Sequence, residues 1–206
     1  MNSNSADFGA TDDAMLDCLQ RDFLRFDIRV TDTVWDQFRN GLDFARFERD
    51  TVIESATEIA GRWLFVCSGI VASRQTHTDG EISIARFFER GQMCANLTSV
   101  WAQSYSADDL LAMTAVEALV IPDSLFRDEL INGEDFGRYF RHKAMETLCF
   151  DKEIMSAKTR IDTETRYRFL EQHYASVLEN VRQRDIAAFI GITPQGLSRF
   201  KRHRHK

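Results

Sequence analysis

QRDIAAFIGITPQGLSRFKRHRHK, residues 183–206, holds two short apolar patterns separated by one glycine. Ile186, Ala187 and Ile190 fall on one face of a first helix, and Gly191 breaks it. Ile192 follows, then Leu197 and Phe200 face inward from a second helix. Two helices crossing steeply need a small residue where they pack closest, here Ala187. At the turn they need one tolerant of positive φ, here Gly191. Thr193 suits an N-cap, and Pro194 suits the first helical position, where a missing N–H does no harm. The opposite face of the second helix then carries Gln195, Ser198, Arg199 and Arg202, side chains suited to base edges and phosphates. Gly196 dissents, since inside a helix it costs roughly 1 kcal/mol relative to Ala. The pattern is that of a DNA-reading helix-turn-helix.

Charge separates this reading from an ordinary helical hairpin with a basic tail. Residues 181–206 hold seven Lys or Arg against one acid, Asp185, a net +6. The whole chain has 26 bases and 32 acids, a net −6, so residues 1–180 carry −12. A basic cap on an acidic body fits a protein that meets phosphate through one end only. Lys201, Arg202 and Arg204 are the backbone-contacting candidates. His203 and His205 read as solvated members of the basic run, and no metal site is expected.

With 206 residues, 44% of them hydrophobic and 16 of them Phe, the chain can build one sizeable domain and a small one. No apolar run is long enough to span a membrane. MNSNSADFGATDD, residues 1–13, lacks the pattern of a signal peptide and is expected to be disordered. Cys18, Cys67, Cys94 and Cys149 show no short pair spacing, which disfavours structural zinc and iron–sulfur clusters. A reducing cytoplasm is the expected setting, and Cys67 and Cys149, each in an apolar stretch, are expected to be buried, inert thiols.

From about Leu42 to Ile121 helical patterning gives way to short strands. Ala45–Glu48 and Thr51–Ile53 flank a turn at Arg49-Asp50. Trp63–Cys67 and Ser68–Ala72 read as one strand bent at Gly69. Thr78-Asp79-Gly80-Glu81 supplies a hairpin turn between Ile70–Arg74 and Ile82–Phe88. Leu110–Val116 and Glu117–Ile121 give the last pair. Such strands predict a small antiparallel barrel or jelly roll. After Pro122, Asp123 or Ser124 caps a short helix through Leu130. Residues 133–158 then form a long helix with the stripe Phe136, Phe140, Ala144, Leu148 and Met155, expected to pair with its twin in a homodimer. A further helix, Asp162–Asn180, supports the terminal pair. The fold class is α+β, divided into a tail (1–13), a strand domain (14–132), a dimerisation helix (133–158) and a helix-turn-helix domain without an evident wing (159–206).

This order of parts resembles the Crp–Fnr superfamily of bacterial transcription regulators. The resemblance covers residues 27–202, and its most specific residues are Val66-Cys67-Ser68-Gly69, Asp79-Gly80-Glu81, Arg86-Phe87-Phe88-Glu89-Arg90-Gly91 and Ile186–Phe200. It implies a sensor domain related to cyclic-nucleotide-binding domains, a dimer, double-stranded DNA as partner and RNA polymerase as a further one. Gln195, Ser198 and Arg199 would lie at base-reading positions, and Gln183 and Thr193 would start the two helices near phosphates. The family's cyclic-nucleotide sensors carry a Gly-Glu pair and then an Arg for the cyclic phosphate. Here those positions read Ala95-Asn96, and Ser104–Asp109 contains no Arg. A phosphate without a cation would suffer an uncompensated desolvation penalty, so cyclic AMP is not the expected effector.

The implied effector pocket lies between the barrel (Val66, Met93, Cys94, Ala95, Asn96, Leu97) and the long helix (Phe140, Lys143, Ala144). An uncharged or aromatic molecule, or none, is expected there, and the cofactor stays unknown. His77 is a candidate haem ligand but reads as turn surface. Cys94 has no adjacent base to make it a redox sensor. A second reading stays open: a ligand-binding module whose basic tail contacts a partner or a membrane surface. Without a nucleophile elbow, phosphate loop or metal-ligand pair, and with Asp108-Asp109 reading as loop surface, no enzyme is expected.

Overall fold

A computed structural model describes residues 9–204. The expected disorder of residues 1–8 lies outside that range. Residues 12 and 13 open α1 (Asp12–Arg25), where Thr11 Oγ1 accepts from the Ala14 N–H at 3.2 Å. Two aspartates in a first turn also favour a helix start, so this part of the tail is ordered. Helix α2 (Asp32–Arg39) follows.

The strands are β1 (Asp43–Phe47), β2 (Val52–Glu54), β3 (Arg62–Ser68), β4 (Val71–Thr76), β5 (Ile82–Phe88), β6 (Met93–Cys94), β7 (Asp109–Ala112) and β8 (Val116–Pro122). They form two antiparallel sheets, ordered β1-β8-β3-β6 and β2-β7-β4-β5, in a jelly roll. Between β6 and β7 lies a short helix, α3 (Leu97–Ala102), that strand periodicity did not reveal.

One correction concerns residues 63–72, expected as a single bent strand. Gly69 sits at φ +82°, and the chain crosses there from one sheet to the other. A Cβ on Gly69 would stand 2.1 Å from the Ala115 carbonyl oxygen, so only glycine makes the crossing. The hairpin of β4 and β5 forms as expected, with Gly80 at φ +83° and the Glu81 N–H donating to Asp79.

Three apolar layers hold these sheets. Val66, Val71, Phe88, Leu110 and Val120 pack between them. Helices α1 and α2 cover the outer side of the first sheet, together with α4 (Asp123–Asn132) and the first half of α5 (Asp135–Lys158). The outer side of the second sheet is covered by α6 (Thr163–His173), α7 (Ala175–Asn180), α8 (Gln183–Ile190) and α9 (Pro194–Arg204). With both faces of β3 covered, Trp63–Cys67 is a continuous buried run rather than an alternating one. The expected single helix over 162–180 is broken at Tyr174, which is fully buried and gives its hydroxyl hydrogen to the Phe87 carbonyl.

Helix α5 divides its apolar residues differently from the expected stripe. Phe136 and Phe140 are 2% and 1% exposed within the single chain; Phe136 stacks on Phe38 at 4.0 Å and Phe140 packs on Phe126 at 4.7 Å. The core of their own subunit claims both, so neither belongs to a dimer face. Leu148 and Met155, at 57% and 67%, do lie on the open side, with Ala144 and Met145. Cys67 is buried as expected, whereas Cys149 is exposed on that helix. Among the described residues no helix is long and apolar enough to cross a membrane.

Near the end of α5, Lys158 reaches inward, donates to the Ile84 carbonyl and lies 4.3 Å from the Phe189 ring centre. Burial pulls its pKa down to about 8, against the opposing charge of Asp108. The folded chain therefore releases this proton near pH 8 while the unfolded chain holds it to about pH 10.4. Between those values the unfolded state binds more protons, so this lysine makes stability rise with pH. Lys158→Met should flatten that rise in thermal melts between pH 8 and 10; an unchanged profile would contradict the burial. At the turn before α9, Gly191 holds φ +70°, so Gly191→Ala should lower the urea-unfolding free energy by roughly 1–2 kcal/mol. No loss would mean that the turn adopts another conformation.

Candidate functional site

The residues expected to face DNA lie together. In α8, Ile186, Ala187 and Ile190 are buried; in α9, Leu197 is buried and Phe200 is partly so. Gln195, Ser198, Arg199 and Arg202 are exposed on the other side, as is Thr193 at the head of α9. Gly196 has a local reason: its N–H donates to Thr193 Oγ1 at 3.0 Å, and a Cβ there would stand 3.1 Å from that oxygen. The glycine lets the N-cap close.

The phosphate candidates are not all free. Lys201 donates to Gln183 Oε1 at 2.6 Å, which ties α9 to the first turn of α8. Arg204 makes two bonds to Glu171, at 2.6 and 2.8 Å, and a third contact to Glu164. Among the described residues, Arg199 and Arg202 have no ion-pair partner. The bare cationic surface of α9 is therefore smaller than its sequence suggested.

A second site lies between the barrel and α5. A cavity of about 270 Å³ opens there, and of the residues expected to line it Met93, Ala95, Leu97, Phe140, Lys143 and Ala144 do so. Val66 and Cys94 do not, because both point between the sheets and are fully buried. Asn96 is also turned away: its side chain donates to the Asp108 carbonyl and accepts from Ser106. Burial drives the Cys94 thiol far up, which removes it as a redox sensor. Asp108 accepts from Ser73, and Asp109 pairs with Arg74 and accepts from the Ala56 N–H, so the acidic pair serves the fold.

Arg86 and Asp151, which sequence reasoning did not assign, give the cavity its chemistry. Arg86, on β5, is 7% exposed, and its Nη1 donates to Asp151 Oδ1 at 2.5 Å. Its guanidinium lies over Phe88 at 4.6 Å and over Phe150 at 5.3 Å. The remaining wall is mostly apolar, with Trp63, Leu97, Trp101, Phe126 and Phe140. A lone base inside the aromatic run 85–88 was the available signal. Lys143, also buried, is spent on Asp22 at 3.0 Å, Glu146 at 2.9 Å and the Gly91 carbonyl at 2.7 Å. Tyr139 gives its hydroxyl hydrogen to the same Asp22, so this cluster clamps α1 to α5.

Comparison with known proteins agrees with this architecture. Residues 44–132 match the cyclic nucleotide-binding domain family. No curated protein sequence matches the chain. The fold is similar to that of the c-di-GMP-responsive global regulator CLP of Xanthomonas campestris, at 15% identity over 82% of this chain and 89% of that one, TM-score 0.65. FixK2 from Bradyrhizobium japonicum gives 17% identity, 80% and 84% coverage and a TM-score of 0.63. A Eubacterium rectale protein assigned to the Crp/Fnr family of transcriptional regulators gives 14%, 87% and 85%, and 0.63. Residues 44–132 carry the jelly-roll fold of cyclic nucleotide-binding domains, and the structural neighbours of the chain include a regulator assigned to the Crp/Fnr family.

Proposed function

We propose that the protein is a sequence-specific, DNA-binding transcription regulator of the Crp–Fnr type. It acts as a homodimer, with RNA polymerase as a further partner, and it answers to a small molecule other than cyclic AMP or to none. The observation that carries this reading is the split of α9: Leu197 anchors it from behind, while Gln195, Ser198, Arg199 and Arg202 stand free in front. A helix with that division fits the major groove, where Arg pairs with guanine and Gln with adenine. The net charge of +6 in residues 181–206 supports it.

The open face of α5 supports dimerisation. Met145, Leu148 and Met155 recur at three- and seven-residue spacing on its open face, the seam of a two-stranded coil. A twin helix there would also close the mouth of the cavity beside Ala144 and Leu148. Against cyclic AMP, the 95–109 segment holds Asn96, Asp108 and Asp109 in internal hydrogen bonds and ion pairs; of the guanidinium groups beside it, Arg74 is taken by Asp109 and Arg127 by Asp123 and the Val100 and Trp101 carbonyls.

Selection of duplexes from random sequence should return a two-fold symmetric site with half-sites about 34 Å apart. Arg199→Ala should relax preference at one base position by about 1–3 kcal/mol. Arg202→Ala should weaken all duplexes alike and reduce the salt slope by about one. Unchanged binding of Arg199→Ala to the selected site would contradict the reading face. Equal affinity for random duplex and heparin would favour a module whose basic end merely attaches to a partner. In sedimentation, Leu148→Glu should turn the dimer into a monomer; an unaltered mass would move the interface elsewhere.

A further inference from the structure

Strand β5 contains an irregularity that decides where Arg86 points. Ser73 pairs with Arg86 and Arg74 with Ile84, which leaves Ala85 without a partner. In a regular strand Ile84, Arg86 and Phe88 would share one face. The bulge separates them: Ile84 and Phe87 turn to the terminal helices, while Arg86 and Phe88 turn to the cavity. Bulges re-aim side chains in this way.

A guanidinium placed in an apolar cavity is costly unless its donors are satisfied. Here satisfaction is partial. Asp151 holds Nη1 from the open side of α5, 43% exposed within the single subunit, and the buried Nε has no partner. The arginine thus holds a replaceable carboxylate and an unused donor facing mostly hydrocarbon. We propose that the cavity binds a small apolar carboxylic acid in its ionised form. Its carboxylate takes Arg86 in place of Asp151, and its ring or short chain lies among Trp63, Phe88, Met93 and Phe140. One negative charge is what the site can neutralise, because the other cation on its wall, Lys143, already serves two carboxylates. A dianionic phosphate would leave charge unpaired in a desolvated space.

The exchange also has a route outward. Beside Asp151 on α5, Phe150 lies 6.0 Å from Phe169 and 5.7 Å from Tyr174, and Ile154 is buried among the terminal helices. Freeing Asp151 from β5 therefore loosens the turn of α5 on which those helices rest. The proposal rests on reading this cavity as the effector site.

The test is calorimetry and tryptophan fluorescence on the full chain with octanoate and cinnamate, each against its uncharged amide. Both acids should bind, the amides at least about tenfold more weakly. Arg86→Met should weaken the acids about tenfold without affecting the amides. Asp151→Asn, which removes the competing carboxylate, should tighten the acids several-fold and keeps the test decisive if Arg86→Met does not fold. Amides binding as tightly as acids, or Asp151→Asn weakening the acids, would overturn the ligand class while leaving the cavity a binding site. Failure of acids and amides alike would overturn the cavity reading itself. Neither result touches the DNA-reading surface, since no DNA is present.

Discussion

The outer face of the sheet β2-β7-β4-β5 has to be covered, and the terminal helices are what cover it. Phe87 on β5 meets Phe189 on α8 at 5.2 Å and Tyr174 at 5.6 Å, and the Tyr174 hydroxyl donates to the Phe87 carbonyl. Polar contacts also cross this boundary, among them the two bonds from Arg182 to Asp50, but both side chains are exposed. Exposed ion pairs contribute about 0–1 kcal/mol, whereas emptying one buried aromatic position costs about 3–5 kcal/mol. The aromatic contact therefore decides how the terminal pair sits. Barrel and terminal helices share one core rather than a loose linker.

Strand β5 answers to three neighbours at once. Ile84 and Phe87 pack against the terminal helices, Phe88 packs between the sheets, and Arg86 faces α5. The bulge at Ala85 makes these demands compatible within seven residues. A change at the cavity is thereby felt on the same strand that seats α8. Helix α5 gives a second link, because its first half is built into the barrel core and its last turns into the terminal one.

Local chemistry explains which parts of this were legible in the amino-acid sequence. The terminal pair was, because Gly191, Thr193 and Leu197 each act within a few residues. The β4–β5 hairpin was legible for the same reason, through Asp79 and Gly80. The crossing at Gly69 was hidden, since Trp63–Ala72 is apolar on both sides of the glycine and periodicity cannot tell a bend from a change of sheet. Phe136 and Phe140 were assigned to a partner subunit because a helical stripe does not say which surface it meets. Arg86 went unassigned because its direction depends on a bulge, a property of two paired strands that no single segment carries. For a related reason only some of the residues expected around the cavity line it: Met93, Ala95 and Leu97 do, while Cys94 and Asn96 between them point away.

With one shared core, the second sheet and the terminal helices open as one cooperative unit. Native-state hydrogen exchange measures it directly, through the amides of Phe87 on β5 and Phe189 on α8. Closely similar opening free energies are expected for the two, falling together when Phe189 is replaced by Leu. A low-energy opening of α8 with β5 still protected would contradict it, for the terminal pair would then be a separate domain merely resting on the barrel.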